Sequence, residues 1–517
     1  MKKKYGILFL LVLVYLINGI CSINAISVTF DEGAHFSYGI RILKGRPARV
    51  DPENDNSKMP ISSLNALPRA AEQLFSKNLQ KDDGGVSDII KGRYLTLLFS
   101  VLIILLVFVW SRDLYGINAG LFSAFLFVCC PNNMAHAILV TTDSYSVFFL
   151  LATLYFLWRY ANSKAMKDFI FFTIFLALSQ LVKQSLFHLY VLAPVCLLVY
   201  AVVMREKIKG WALLKKIVIT ALVSLLIINV GFLFYDMTVP VGDYHFRSNL
   251  FLKLQQLLPG GLPIPFSRAF TEGLDLAKYY DDLGGGLHNS SMSNVTILGH
   301  SFTGSGIWYY YLVSIFFKTP ITFLILLVWA VSLKIKKESF SLFIKNEFFL
   351  TAPILYFLIL LSFFYKSQAG IRHVIFIYPL IFIFCGIIIK YARGKKDKLL
   401  RLILGLLLLM SVGQYFNNYH PYTNEFIGHK KNAYRYVGAG NINLGQAGYF
   451  IQDYLKAHPE LSYAPKNARA GKFIISVDNY LDTWNTGEYQ WLRKLKPVAD
   501  VHYSYLLFEV QSKDIDP

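Results

Sequence analysis

Apolar residues in this chain fall in long unbroken runs, not in the short alternations of a soluble core. Runs of about 18–22 residues recur along most of its length, each long enough to cross a hydrocarbon layer of roughly 30 Å. The pattern predicts about eleven spans, near 5–27, 94–111, 116–132, 145–160, 169–183, 185–203, 216–236, 318–335, 346–364, 371–390 and 399–416. Three longer polar segments interrupt them, at about 28–91, about 238–306 and in the tail from Asn417. The first includes the amphipathic stretch Leu67 to Leu79. The second, with Pro259-Gly260-Gly261 and Gly284-Gly285-Gly286, reads as loop with short helices. It leads into Ile307-Trp308-Tyr309-Tyr310-Tyr311, an aromatic cluster of the kind that sits at headgroup level. In the tail, Gln446 to Ala457 predicts a helix, while Lys472 to Val477 and His502 to Val510 predict strands. The expected architecture is an all-α polytopic membrane module over 1–416, followed by a small α/β unit over 417–517. No internal repeat suggests an inverted-repeat transporter.

Composition supports the membrane class. Of 517 residues, 55% are hydrophobic and 16% charged, where a soluble protein has roughly a quarter charged. The net charge of +19 would suit nucleic acid, but its placement argues otherwise. The excess sits in short segments between apolar runs: Lys2 to Lys4, Arg159 to Lys167, Arg205 to Lys216, Lys334 to Lys345 and Lys390 to Arg401. Alternate threading puts all of these on one side, as the positive-inside rule expects of the cytoplasm. The three long segments then face outward from the plasma (inner) membrane, and membrane lipids, not nucleic acid, are the expected surroundings. The first run, Tyr5 to Ala25, ends in Ser22-Ile23-Asn24-Ala25, which loosely resembles a signal cleavage site. Its length suits a retained span better. The five cysteines all lie in or beside apolar runs, so neither a disulfide framework nor a zinc cluster is implied.

The chemistry-bearing residues gather at the outer ends of these spans. Phe30-Asp31-Glu32-Gly33-Ala34-His35-Phe36 follows the first one. Two carboxylates and a histidine there read either as ordinary interfacial solvation or as a base whose pKa partial desolvation raises. Thr141-Thr142-Asp143 opens the fourth span on the same side, as a helix cap, a second acid, or both. Cations join them: Lys58 in Ser57-Lys58-Met59-Pro60, Lys183, Lys318 in Phe317-Lys318-Thr319-Pro320, and Arg372-His373. Each has a plain reading as a snorkelling or lipid-phosphate contact. Taken together, they describe a seat for an anionic group beside a base, with Arg suited to bidentate phosphate contact and Lys acting as a point charge. One reaction uses that set. An acceptor hydroxyl attacks the anomeric carbon of a sugar held on a lipid phosphate. A base takes the proton, and cations stabilise the departing phosphate.

With these motifs in view, the chain resembles the lipid-carrier-dependent glycosyltransferases of the GT-C fold, the protein O-mannosyltransferase and aminoarabinose-transferase group. Asp31-Glu32 after the first span carries the resemblance, with His35-Phe36 closest to the mannosyltransferase version, and Lys58-Met59-Pro60 resembles a later Lys-Pro element. Gly120 to Arg159, Gly306 to Pro320 and Gly370 to Pro379 match in character. In the tail, Asn424-Glu425 and Asn441-Ile442-Asn443-Leu444-Gly445-Gln446 resemble an Asn-Leu-Asp-Trp-Gly-Gln element, with Asn443 and Leu444 replacing its Asp and Trp. The resemblance implies Asp31 as catalytic base, with Glu32, Asp143, Lys58 and Arg372 orienting a polyprenyl-phosphate-linked sugar. Lys183 and His373 join the expected phosphate-binding set, and His35 and Lys318 are further candidates. Relatives differ in metal use, so a divalent ion stays open as a cofactor, although His35, His245, His288 and His300 show no metal-ligand spacing. The acceptor (protein, lipid or glycan) is not legible, and the sequons at Asn289 and Asn294 read as incidental. Two other readings stand beside this one: a transporter or flippase of lipid-linked saccharide, and an oligosaccharide polymerase or ligase.

Overall fold

The computed structural model describes residues 2–75, 85–207, 209–284, 287–288 and 291–515. The sequon at Asn289, Gly285 and Gly286, and the last residues of the amphipathic stretch from Leu67 lie outside them. Among the described residues, four helices are long and apolar enough to cross a membrane: Lys2–Ala25, Val86–Tyr115, Gln184–Val203 and Gly210–Gly231. Two further pairs qualify together but bend between their halves, Ile117–Val128 with Pro131–Ala137 by 67° and Tyr310–Lys318 with Ile321–Lys337 by 108°. Up to six crossings therefore meet the length and composition test, where the apolar runs predicted eleven. A helix does lie on each of the other expected spans, but it is too short, too polar or too charged to qualify. Examples are Met166–Ser179, Phe348–Phe363 and Lys395–Gly413.

The bends have local causes. Pro131 stands at the first position of its helix, where its missing N–H costs nothing, and it cannot continue the turn before it. Pro320, the N-cap of Ile321–Lys337, likewise cannot continue the helix that ends at Lys318. Both breaks present backbone groups and polar side chains where a straight span would bury only apolar ones.

One continuous apolar core joins the first helix to Val86–Tyr115, Ile117–Val128, Asp143–Ser163 and Ile377–Cys385. The first long segment folds onto it as two packed helices, Glu32–Leu43 and Ser62–Phe75. Gly39 and Gly92 allow this close approach, since a Cβ at either would meet the backbone of Ser62 or Asn65 under 3.0 Å away. The second segment holds helices Asn249–Leu257 and Arg268–Asp282 and an antiparallel hairpin of Asn294–Ile297 with His300–Thr303. The tail contains helix Gly448–Ala457 and a four-stranded sheet. Its order is Leu461–Tyr463, Gly471–Ser476, Tyr505–Val510, Ala499–Val501; the first pair is parallel and the others antiparallel. Phe473 and Phe508 are directly opposed, and with Ile475, Leu506 and Tyr434 they anchor a separate apolar cluster.

Candidate active site

The chain leaves the first helix at Ala25 and reaches Asp31 through an extended loop held by the tail. Ser27 N–H donates to the Gln446 carbonyl and Phe30 N–H to that of Leu444, both at 3.0 Å. Arg372 lies in a short 3-10 turn, Ile371–Val374. The loop before it is also held from the tail: Ile371 N–H donates to Asn441 Oδ1 at 2.8 Å, and Gly370 N–H to the Tyr310 hydroxyl at 2.9 Å. Gly370 has φ +83°, and a Cβ there would sit 2.5 Å from the Gly440 carbonyl oxygen. Only glycine fits that approach. Two loops from opposite ends of the membrane module are thus set by one tail segment, and they bring Asp31 and Arg372 into an ion pair.

This pair is partly open, with the Asp31 side chain 35% exposed and that of Arg372 22%. The guanidinium holds the Asp31 carboxyl well below the usual carboxylate range, outweighing the opposing effect of burial, and Lys58 adds to it. The expectation of a base strengthened by desolvation is therefore reversed: Arg372 decides the sign. Lys58 is 6% exposed, and among the described residues its ammonium donates only to Ser57 Oγ, at 3.1 Å. Burial pulls its pKa down, while Asp31 pulls it up. His35, on the helix Glu32–Leu43 that Asp31 precedes, is driven well below its ordinary pKa by burial and by Lys58, which favours the neutral ring.

Asp143 forms the neighbouring half of the cluster. Lys183 Nζ is 2.8 Å from its Oδ1, and His136 Nδ1 lies 3.3 Å from its Oδ2, without hydrogen-bond alignment. Asp143 and Asp31 both act electrostatically on Arg372, which ties the two halves together. His373 sits beside them, with its Nδ1 3.2 Å from the Tyr311 hydroxyl. The acids of the cluster are matched to cations, a donor set that does not suit a divalent ion. Among the described residues, no group of three or more His, Cys, Asp or Glu is arranged to hold one.

Two candidates lie elsewhere. Glu32 is fully buried and fully engaged: Arg93 donates to it from Nε at 2.8 Å and Nη2 at 2.6 Å. The N–H groups of Thr29 and Val140 also donate to it, at 2.8 and 2.9 Å. No capacity remains for a donor substrate. Its role is to clamp the loop, because Arg93 also donates to the carbonyls of Ile23, Ile26 and Ser27. Lys318 is buried and spends its ammonium on the carbonyls of His420 and Asn441. It braces the bend after its helix and does not join the cationic set around Asp31.

Sequence reasoning missed Arg93, His136 and Asn441 as contributors. Arg93 carried a visible signal, a charge at the very edge of an apolar run. Asn441 and His136 carried none beyond lying in motifs of matching character.

Residues 85–235, which include Arg93, His136, Asp143 and Lys183, match the family model described as dolichyl-phosphate-mannose-protein mannosyltransferase. Among solved structures, the chain is similar to ArnT from Cupriavidus metallidurans bound to undecaprenyl phosphate. The two are 12% identical with a TM-score of 0.49, and the likeness covers 99% of both chains. It is also similar to the Archaeoglobus fulgidus oligosaccharyltransferase AglB in complex with an inhibitory peptide and a dolichol-phosphate. There the identity is 12% and the TM-score 0.47, over 83% of this chain and 57% of that one. No curated protein sequence matches.

Proposed function

From the mannosyltransferase-family match over residues 85–235, we propose that this chain is a membrane glycosyltransferase. It moves a monosaccharide from a polyprenyl-phosphate donor to an acceptor hydroxyl on the extracytoplasmic face. The observation that carries the mechanism is the half-open Asp31–Arg372 pair beside Lys58, a buried cation with no carboxylate in contact among the described residues. Donor phosphate enters against Lys58 and Arg372, with Lys183 and His373 at the Asp143 side. As the phosphate takes up the Arg372 guanidinium, Asp31 loses the charge that suppresses its basicity. Donor binding itself therefore switches the base on.

The acceptor oxygen then attacks the anomeric carbon while the bond from that carbon to the phosphate oxygen breaks. The electron pair leaves with the lipid phosphate, where the cations stabilise it, and the hydroxyl proton passes to Asp31. Phosphate leaves as an anion without a general acid. A single displacement inverts the anomeric centre.

Asp31→Asn keeps shape and loses the proton acceptor. Transfer from polyprenyl-phosphate sugar should fall by about 10²- to 10⁴-fold, as expected for loss of a general base, with donor binding retained. Full transfer by this variant, in protein that elutes as the wild type does, would exclude the mechanism. A transporter would instead move lipid-linked sugar across vesicles with no covalent product, and a polymerase or ligase would take a diphosphate-linked oligosaccharide.

A further inference from the structure

The loop that carries Asp31 leans on a turn in the tail whose own shape is set by side chains. Residues Asn443 to Gln446 belong to no helix or strand, so no ladder of backbone bonds fixes them. Instead, Leu444 N–H donates to Gln446 Oε1 at 2.7 Å, and Gly445 N–H to Asn443 Oδ1 at 3.1 Å. The turn in turn holds the residues just before Asp31. The Leu444 carbonyl accepts from Phe30 N–H at 3.0 Å, and the Gly445 carbonyl from Ser27 Oγ at 2.6 Å. The Phe30 ring lies across Gly445, where φ is +86° and a Cβ would meet the ring at 2.8 Å.

Behind this turn stands Asp478, in the short helix Val477–Tyr480 that follows strand Gly471–Ser476. Its carboxylate accepts from Asn443 Nδ2. Both side chains are buried, and among the described residues no lysine, arginine or histidine pairs with Asp478. A buried carboxylate without a cation is costly to keep. Burial pushes its pKa up to about 6, with the Asn443 contact holding it back. Above that pH the carboxylate can only accept, whereas an amide has one donating side and one accepting side. Asp478 therefore decides which way Asn443 faces: Nδ2 toward the carboxylate and Oδ1 toward Gly445 N–H. The reverse orientation would set acceptor against acceptor on one side and donor against donor on the other. The element that Asn441 to Gln446 resembles has its acid at the place of Asn443; here the acid stands across the contact.

We propose that Asp478 is a positioning residue for Asp31: by fixing the Asn443 amide, it sets the turn that holds Ser27 and Phe30. It acts through Asn443 and the turn, not on the donor. That this placement serves transfer rests on the glycosyltransferase reading above; the placement itself rests on the contacts of Asp478, Asn443 and the turn.

The test swaps the two residues in the full chain, held in nanodiscs at a pH well above the Asp478 pKa. Asn443→Asp alone sets two carboxylates face to face. Asn443→Asp/Asp478→Asn again opposes one acid to one amide, and both hydrogen bonds can form. Amide hydrogen exchange of the segment from Ile26 to Asp31, read by mass spectrometry, should quicken by about tenfold in the single variant, as release of a hydrogen bond implies. It should return close to the wild-type rate in the double variant. Turnover should follow the same order. In Asn443→Asp, kcat for transfer from polyprenyl-phosphate sugar should fall by about 10- to 100-fold, as misplacement of a reacting group implies, while KM for the donor changes little. The double variant should recover most of that loss, a rescue that general destabilisation would not give. A double variant no better than Asn443→Asp, or an Asp478→Ala chain with wild-type exchange and kcat, would overturn the proposal. Asp31→Asn should abolish transfer and leave exchange unchanged. If exchange follows the swap but even the wild type transfers no sugar, the brace stands and the transfer reading fails.

Discussion

Residues 31 and 32 are adjacent carboxylates with opposite fates, and the difference is made entirely by their cations. Asp31 meets an arginine at a partly open position, whereas Glu32 meets Arg93 where both side chains are fully buried. Breaking a buried pair leaves one charge unpaired, which costs about 3–5 kcal/mol. Glu32→Gln should therefore lower the thermal midpoint and the yield of monodisperse protein, whereas Asp31→Asn should change neither. A stable, inactive Glu32→Gln would instead return Glu32 to the chemistry.

Arg372 supplies the pH prediction. Its charge depresses the Asp31 pKa, so the wild-type base stays ionised well into acid. In Arg372→Gln, the largest opposition to burial is gone, only the weaker pull of Lys58 and His35 remains, and that pKa rises. The acid limb of kcat/KM should then move to higher pH, because protonation now silences the base sooner as pH falls. The rate at the optimum should drop by roughly 10²- to 10³-fold with the lost stabilisation of the leaving phosphate. An acid limb that stays in place would show that Asp31 is not the group being titrated.

At the scale of elements, the segment Gly440 to Gln446 is where the tail enters the site. It accepts from backbone N–H groups beside both Asp31 and Arg372, and it receives Lys318. Asn441→Ala removes the acceptor for the Ile371 N–H. Misplacing a reacting group by about 1 Å costs on the order of 100-fold, so a 10- to 100-fold loss in kcat is expected, with a smaller change in KM for the donor. Asn441→Asp keeps that acceptor and should recover part of the loss. If Asn441→Ala lowers only protein yield, the brace is structural alone. The resemblance drew attention to this stretch, but its hydrogen bonds to the Asp31 and Arg372 loops span some 70 to 420 residues of sequence, beyond any local pattern.

For the whole molecule, the proposed function requires the basic segments and the chemistry to lie on opposite sides of the membrane. That arrangement is measurable in right-side-out vesicles with a membrane-impermeant maleimide. Lys456→Cys, in an exposed part of the tail, should label from outside, and Lys167→Cys only after permeabilisation. The reverse labelling would put Asp31 on the cytoplasmic face and remove the extracytoplasmic acceptor from the account.

Apolar run length, the placement of Lys and Arg, and the clustering of acids at span ends were legible along the chain, because each depends on composition within a short window. Helices do lie where the runs predicted them, and the tail strands begin within a residue or three of their expected places. The number of qualifying crossings did not follow, since several helices on the predicted runs, such as Met166–Ser179 and Phe348–Phe363, are shorter than a straight crossing needs. Nor did the sorting of the charged residues. Electrostatic partners act over a few ångströms and are brought together by folding, so only the tertiary structure decided that Asp31 takes Arg372, Glu32 takes Arg93 and Lys318 braces a bend.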